Sequence, residues 1–123
     1  MKLSKEIMKT GSQGYHDNIH LIRDAKMVLT DSGVVQEESS ILGAPCLTLR
    51  EHTERPVTVT LGTSELVGND TVKIVSGFQR IIDGKWEDSR NIPLWDRHTA
   101  ERIVKQLKLV CVKREGATLE MAI

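Results

Sequence analysis

Apolar and polar positions alternate along this chain in a way that predicts helices separated by short strands. In four segments the apolar residues recur three or four positions apart, as in helices that place one face on a core. Between them lie three short apolar segments that are typical of strands, and the run Met27, Val28 and Leu29 is typical of a strand covered on both faces. The predicted order is a helix with Tyr15, Ile19 and Ile22, a strand at 26–30, a helix at 34–42, strands at 46–49 and 65–67, a helix with Val72, Val75, Phe78 and Ile82, and a helix opened by Asp96 with Ala100, Ile103, Val104 and Leu107.

Residues that favour helix ends lie beside the predicted helices. Gly43 and Pro45 follow the second helix, and either Asn69 or Asp70 can cap the third, which Gly84 closes. Strands that alternate with helices in this order indicate a parallel sheet with covering helices. The predicted fold class is therefore α/β.

The predicted sheet has three strands, whereas a doubly wound domain usually has about five or six. We therefore interpret the chain as a partial Rossmann-like parallel sheet, the later part of a nucleotide-binding domain. The predicted organisation is a lead-in at 1–14 from a missing or shortened upstream part, a Rossmann-like domain at 15–108 and a tail at 109–123 without a clear period.

Composition narrows the function classes. The 123 residues include 17 Lys and Arg against 17 Asp and Glu, a formal net charge of zero, so neither nucleic acid nor an anionic membrane is indicated as a partner. No segment approaches the roughly 20 apolar residues of a membrane span, and the first residues lack the apolar centre of a signal peptide. A cytoplasmic location is expected.

The two cysteines, Cys46 and Cys111, lack metal-ligand spacing, so we expect reduced thiols and no metal site.

The first candidate for chemistry is the turn formed by Asp31, Ser32 and Gly33. It lies at the carboxyl end of a predicted strand, directly before a helix, where ligands bind in open α/β sheets. Backbone N–H groups and the helix dipole favour a phosphate there, and glycine permits a close approach. The alternative interpretation is that Ser32 only caps the helix and Gly33 only turns the chain.

A second candidate is Arg55, in the polar connection after the strand at 46–49. In a parallel sheet this arginine emerges at the same edge as Ser32 and Gly33, where a guanidinium can bind a diphosphate in bidentate fashion. Pro56 restricts its backbone to extended conformations. Alternatively, Arg55 only neutralises a neighbouring glutamate, Glu38 or Glu54.

The third candidate is Glu38. At about 100° per residue, it falls at the middle of the apolar arc of its helix. That arc holds Val34, Val35, Ile41 and Leu42, while Gln36, Ser39 and Ser40 are expected to face away. A buried carboxylate needs donors, and the hydroxyls of a ribose would serve. Together the three candidates indicate a nucleoside diphosphate site.

Several ordered motifs resemble one family. The run LTDSG-x-x-QEE, a GxP turn, the TERP segment, LGTSELVG and PLWD-x-x-x-AERIV resemble the C-terminal domain of the non-hydrolysing UDP-N-acetylglucosamine 2-epimerases, from about Gln13 to Leu107. The resemblance implies a glycosyltransferase-B-type fold of two Rossmann-like domains with the UDP-sugar in the cleft between them. It also implies homodimers and no metal or redox cofactor.

Carried over by motif, the resemblance assigns binding roles but no catalytic residue. The implied UDP-binding set is Gln13 at the uracil, Ser32, Gly33 and Val34 at the phosphates, Glu38 at the ribose hydroxyls and Arg55 beside the diphosphate. Two positions depart from the family pattern. Val34 replaces a second glycine, and Asn18 replaces an aromatic residue against the uracil.

The resemblance implies that UDP-GlcNAc and UDP-ManNAc are interconverted by elimination and re-addition of UDP. This reaction needs acid and base carboxylates, which the family takes from its N-terminal domain. We therefore expect the chain to hold the UDP half of the site and to be inactive alone, with a homodimer or a partner supplying the N-terminal domain. The alternatives are the nucleotide-binding half of a glycosyltransferase, or a non-catalytic nucleotide-binding or dimerising module.

Overall fold

The architecture of the chain is a small parallel sheet with helices around it. The computed structural model describes residues 6–88 and 90–115. In chain order the elements are α1 (Tyr15–Asp24), β1 (Val28–Thr30), α2 (Gly33–Leu42), β2 (Cys46–Thr48), α3 (Pro56–Thr60), β3 (Ser64–Leu66), α4 (Thr71–Ile82) and α5 (Thr99–Glu115). The strands lie in the order β1, β2, β3, and both pairs are parallel. The predicted α/β fold class is confirmed.

The chain divides into two compact units. The first, Met1–Asn91, contains the sheet and helices α1 to α4, and the second, Ile92–Ile123, contains α5. Helix α5 continues beyond Lys108 to Glu115, and the rest of the predicted tail lies outside the described residues. The predicted domain boundaries stay a prediction. Among the described residues, no helix is long and apolar enough to cross a membrane.

The core of the first unit lies between β2 and helix α4. Leu47, Val67 and Ile81 are buried together, with Ile74 and Trp86 packed against them. Strand β2 is buried along its whole length because it has a strand on each side. The sequence predicted a short apolar strand at 46–49, and β2 confirms it.

Strand β1 corrects one expectation. It lies at an edge of the described sheet, and Leu29 remains 48% exposed. The prediction that this strand is covered on both faces is therefore wrong for the described part of the chain. An edge strand has a neighbour on one side only, so its apolar run alone did not reveal its place in the sheet.

Helix α4 begins as expected, since the Asp70 carboxylate accepts from the N–H groups of Val72 and Lys73. The predicted core face is wrong. Ile74, Gly77 and Ile81 face inwards, and the four residues of the expected stripe are exposed: Val72, Val75, Phe78 and Ile82. In α5 the expected stripe is likewise about half exposed, at Ile103, Val104 and Leu107.

Candidate nucleotide-binding site

The loop after β1 forms the capped start of helix α2. Ser32 is the N-cap, with its Oγ accepting from the Val35 N–H at 3.4 Å, and its own N–H donates to Thr30 Oγ1 at 3.1 Å. The capping role considered for Ser32 is therefore present. The N–H groups of Gly33 and Val34 belong to the first turn, where a helix has no carbonyl of its own to bind them. They remain suited to an anion.

Arg55 lies against this turn. A Cβ built on Gly33 would be 3.7 Å from Arg55 Nε and 3.8 Å from Cζ, so the guanidinium packs beside the glycine backbone. A parallel sheet is expected to bring the two loops to the same edge, and the contact confirms this expectation. A positive group therefore stands next to the positive end of a helix dipole, an arrangement that favours an anion between or beside them.

Arg55 is also paired with an acid, but not with either of the two considered. Its Nε lies 2.8 Å from Glu37 Oε1 without hydrogen-bond geometry, and both side chains are about one-third exposed. Glu54 instead pairs with Arg50, at 3.2 and 3.3 Å. The backbone N–H of Glu54 and the Arg50 guanidinium hold the pKa of this carboxyl below its usual value. The charge of Arg55 is thus partly balanced before any ligand binds.

The inward face of α2 is the opposite of the predicted one. Gln36, Ser39 and Ser40 are buried, at 0%, 0% and 3% exposure, while Val34 and Ile41 are 55% and 67% exposed. Small hydroxyl side chains let the helix approach its neighbours closely. The buried Ser40 hydroxyl donates to the backbone carbonyl of Gln36 in the same helix, at 3.0 Å, and so has a hydrogen-bond acceptor without water.

Glu38 is half-buried and does not lie at the centre of a buried apolar arc. The geometric reason given for its need of ligand hydroxyls is therefore wrong. What supports a ribose role for Glu38 is its place in the QEE motif. Gln13, in turn, is exposed and donates to the Gly11 carbonyl at 3.0 Å. It borders a cavity that none of the other predicted site residues lines. The other residues of this cavity lie in or directly after α1: Asp17, His20, Leu21, Asp24 and Ala25.

Sequence reasoning missed three polar residues beneath the Arg55 loop. Gln36 Nε2 donates to Thr58 Oγ1 at 2.6 Å, and Thr53 Oγ1 donates to Gln36 Oε1 at 3.1 Å. The only signal was the glutamine in the QEE motif, which the helical arc placed on the wrong side. Within the described residues, no cluster of three or more His, Cys, Asp or Glu side chains could hold a metal ion.

Comparison with known proteins agrees with the motifs. Residues 1–108 match the family model of UDP-N-acetylglucosamine 2-epimerase. The chain belongs to this family.

Individual relatives give the same result. The UDP-N-acetylglucosamine 2-epimerase of Methanocaldococcus jannaschii is 38% identical over 109 residues, which are 87% of this chain and 29% of that protein. The Escherichia coli K12 enzyme is 37% identical over 108 residues, or 85% and 29%. The chain thus spans less than a third of the length of these relatives.

Solved structures share the fold. The Methanocaldococcus jannaschii enzyme in complex with UDP-GlcNAc and UDP aligns with a TM-score of 0.67 at 40% identity, over 78% of this chain and 26% of that one. A putative UDP-N-acetylglucosamine 2-epimerase from Listeria monocytogenes gives a TM-score of 0.70 at 28% identity, over 89% and 31%. The three-stranded parallel unit is therefore part of a larger family fold.

Proposed function

We propose that this chain is the UDP-binding part of a UDP-N-acetylglucosamine 2-epimerase, which interconverts UDP-GlcNAc and UDP-ManNAc by elimination and re-addition of UDP. The observation that carries the proposal is the Arg55 guanidinium lying against Gly33 at the start of helix α2. The family membership and the UDP-bound relative support the choice of nucleotide.

The diphosphate binds at the turn between β1 and α2. The first N–H groups of the helix, at Gly33 and Val34, donate to phosphate oxygens, and the helix dipole adds positive potential. The Ser32 hydroxyl, whose oxygen accepts from Val35, still has its proton to donate. Arg55 swings from Glu37 towards the phosphates and binds two oxygens with its planar guanidinium.

The rest of the nucleoside is held by residues that the family motifs supply. Glu38 accepts from the ribose hydroxyls, and its half-buried position leaves it within reach of solvent and ligand. Gln13 recognises the uracil. In this structure Gln13 lines a cavity with residues in or directly after α1 rather than with the phosphate-binding turn, so its role rests on the family motif.

Acid and base carboxylates for the sugar come from outside this chain. We propose that the active protein is a homodimer, or an assembly in which a partner supplies the N-terminal domain. A cytoplasmic place in polysaccharide biosynthesis fits the nucleotide sugar.

Calorimetry with UDP, UDP-GlcNAc and GDP tests the proposal. Wild type should bind both UDP compounds and prefer them to GDP. Arg55→Ala should weaken UDP binding about 10- to 100-fold, since a charged hydrogen-bond partner is lost, and Glu38→Ala should weaken it about tenfold. Arg23→Ala, which removes an exposed arginine paired with Asp24 on α1, is the matched control. No heat with UDP, or unchanged heat in both site variants, would overturn the proposal.

A further inference from the structure

We infer that Gln36 is a positioning residue, whose buried amide holds the backbone of Arg55 in place for the diphosphate. The inference rests on the proposed function, because it assigns Gln36 an effect on UDP that passes through Arg55. Gln36 itself is fully buried and does not reach the ligand.

A closed ring of four hydrogen bonds joins Gln36 to the backbone of Arg55. Thr53 Oγ1 donates to Gln36 Oε1 at 3.1 Å and accepts from the Arg55 N–H at 3.0 Å. On the other side, Thr58 Oγ1 accepts from Gln36 Nε2 at 2.6 Å and donates to the Arg55 carbonyl at 2.7 Å. Both backbone polar groups of Arg55 are therefore tied to the two ends of one amide.

The direction of each bond in the ring is fixed by chemistry. The Arg55 N–H can only donate, so the Thr53 hydroxyl oxygen accepts from it. The Thr53 hydroxyl proton is then donated to Gln36 Oε1. The Arg55 carbonyl can only accept, so the Thr58 hydroxyl gives it a proton and must receive one from Gln36. Position 36 must therefore present one acceptor and one donor. A glutamine amide does so, whereas an ionised glutamate offers acceptors alone.

Gln36 also connects the ring to the phosphate-binding turn. It lies on α2, and its backbone N–H donates to the Ser32 carbonyl at 3.1 Å. One residue thus joins the two parts of the proposed site, the start of α2 and the Arg55 loop. Because Gln36 and Thr58 are both 0% exposed, water cannot replace a lost bond at low cost.

Arg55 has one backbone restraint besides the ring, because its carbonyl also accepts from the Thr58 N–H, at 3.1 Å, where α3 begins. It precedes the five-residue helix α3 with φ −123° and ψ 60°, outside the helical and strand regions. The guanidinium can be presented reproducibly beside Gly33 only if its backbone is held, and the ring supplies the restraint on the Arg55 N–H and a second hydrogen bond to its carbonyl.

The test is a double-mutant cycle in which UDP affinity is measured by titration with NMR detection, a method that can measure millimolar dissociation constants. Gln36→Met removes both ring bonds with little change of volume, and should weaken UDP binding about tenfold, as for residues of one hydrogen-bond network. In the Arg55→Ala background the same change should alter UDP affinity less than about twofold, because the group it positions is gone. Gln36→Glu should weaken binding at least as much as Gln36→Met.

A second pair of variants guards against misfolding of the buried substitutions. Thr53 is half-buried, so Thr53→Val keeps its shape while removing its hydroxyl, and Thr53→Ser keeps the hydroxyl. Thr53→Val should weaken UDP binding, and Thr53→Ser should restore it. Ser39→Ala is the control for a buried change on the same helix, since Ser39 Oγ has no hydrogen-bond partner and stands outside the ring.

The outcomes separate this inference from the proposed function. A wild-type chain that does not bind UDP overturns both. Wild-type binding that Gln36→Met leaves unchanged, or weakens equally with and without Arg55, overturns the positioning role alone. The positioning role alone is also overturned if Thr53→Val weakens UDP binding and Thr53→Ser does not restore it.

Discussion

Without ligand, the Glu37 carboxylate forms an ion pair with the Arg55 guanidinium, with 2.8 Å between Oε1 and Nε. A diphosphate has to displace this carboxylate or share the guanidinium with it. Because partly exposed ion pairs contribute about 1 kcal/mol or less, the competition is modest. We predict that Glu37→Gln binds UDP up to about fivefold more tightly, as measured by calorimetry at low ionic strength, and that added salt narrows the difference.

The control for this prediction is Glu54→Gln. It removes a carboxylate from the same loop, but one whose partner is Arg50. UDP affinity should change less than in Glu37→Gln. Weaker UDP binding by Glu37→Gln would contradict the prediction and show that the pair orients Arg55 for the ligand.

At the level of residues, the sequence predicted which two loops meet, but not which side chains are buried between them. The Ser32–Gly33 turn and Arg55 follow from strand order, because parallel strands place their carboxyl ends at one edge. The burial of Gln36 could not be predicted from a helical arc that counts apolar side chains. A buried amide becomes favourable only when both of its ends find partners. Those partners are Thr53, in the loop before α3, and Thr58, in α3, and neither the path of the loop nor the helix was predicted.

Helix α4 packs closely on β2 through a single small residue. A Cβ on Gly77 would be 2.7 Å from Leu47 Cδ2 and 3.3 Å from Cδ1. Alanine has the better helix propensity by about 1 kcal/mol, but crowding a packed core usually costs about 1–3 kcal/mol. We therefore predict that Gly77→Ala lowers the free energy of unfolding, as measured by urea denaturation.

The neighbouring Ser76 provides the comparison, because it is exposed on the same helix. Ser76→Ala should be neutral or slightly stabilising. If Gly77→Ala were as stable as Ser76→Ala, the Leu47 side chain would have to yield at little cost, and the close approach would not be what sets the inward face of α4.

Before helix α5, Asp96 accepts from the His98 N–H and from Arg102. The His98 backbone bond first, and then Arg102, hold the Asp96 pKa below its usual 3.8. A lowered native pKa means that the unfolded chain binds the proton more readily, so the stabilisation is complete above the usual pKa and is lost as the pH falls through the native one. We predict that hydrogen-exchange protection of the His98 N–H, which donates to Asp96, and of the Arg102 N–H, which donates to the His98 carbonyl, falls in that acidic range.

The variant Asp96→Asn isolates this carboxylate. It should reduce protection near neutral pH, and the difference from wild type should shrink once Asp96 is protonated. A difference that stays constant down to the acid limit would mean that the carboxylate charge has no part in holding the start of α5.

Which elements exist was predictable, but which face they bury often was not. The runs at 46–49 and 65–67 and the capped helix after Asp70 appear in the structure within one or two residues. Helix α3 was missed because its sequence, Pro56–Thr60, is short and rich in β-branched residues, which favour strands. Helix α4 has two apolar stripes, and the one that faces inwards contains Gly77, which permits close contact with Leu47 of β2.

At the scale of the whole chain, much apolar surface remains in contact with solvent. Val72 on α4 is 77% exposed and Leu29 on β1 is 48% exposed. The chain spans 29% of the curated relative from Methanocaldococcus jannaschii. The apolar stripes of α4 and α5 fit the helical period, but the described residues leave them exposed, so periodicity alone did not predict which positions are covered.

We predict that residues 1–123 bind UDP but do not catalyse the epimerisation of UDP-GlcNAc. Ligand that binds only the folded state stabilises it by about 2.7 kcal/mol at a concentration 100 times its dissociation constant. UDP should therefore raise the midpoint of thermal unfolding, Arg55→Ala should abolish most of the rise at the same UDP concentration, and Arg23→Ala should keep it. With UDP-GlcNAc in deuterated water, no deuterium should enter the sugar at C2, since proton exchange there requires acid and base groups placed at the sugar, and we propose that these come from outside the chain. Deuterium at C2, catalysed by the purified chain, would show that the described residues include a catalytic base and would contradict the division of labour proposed for this protein.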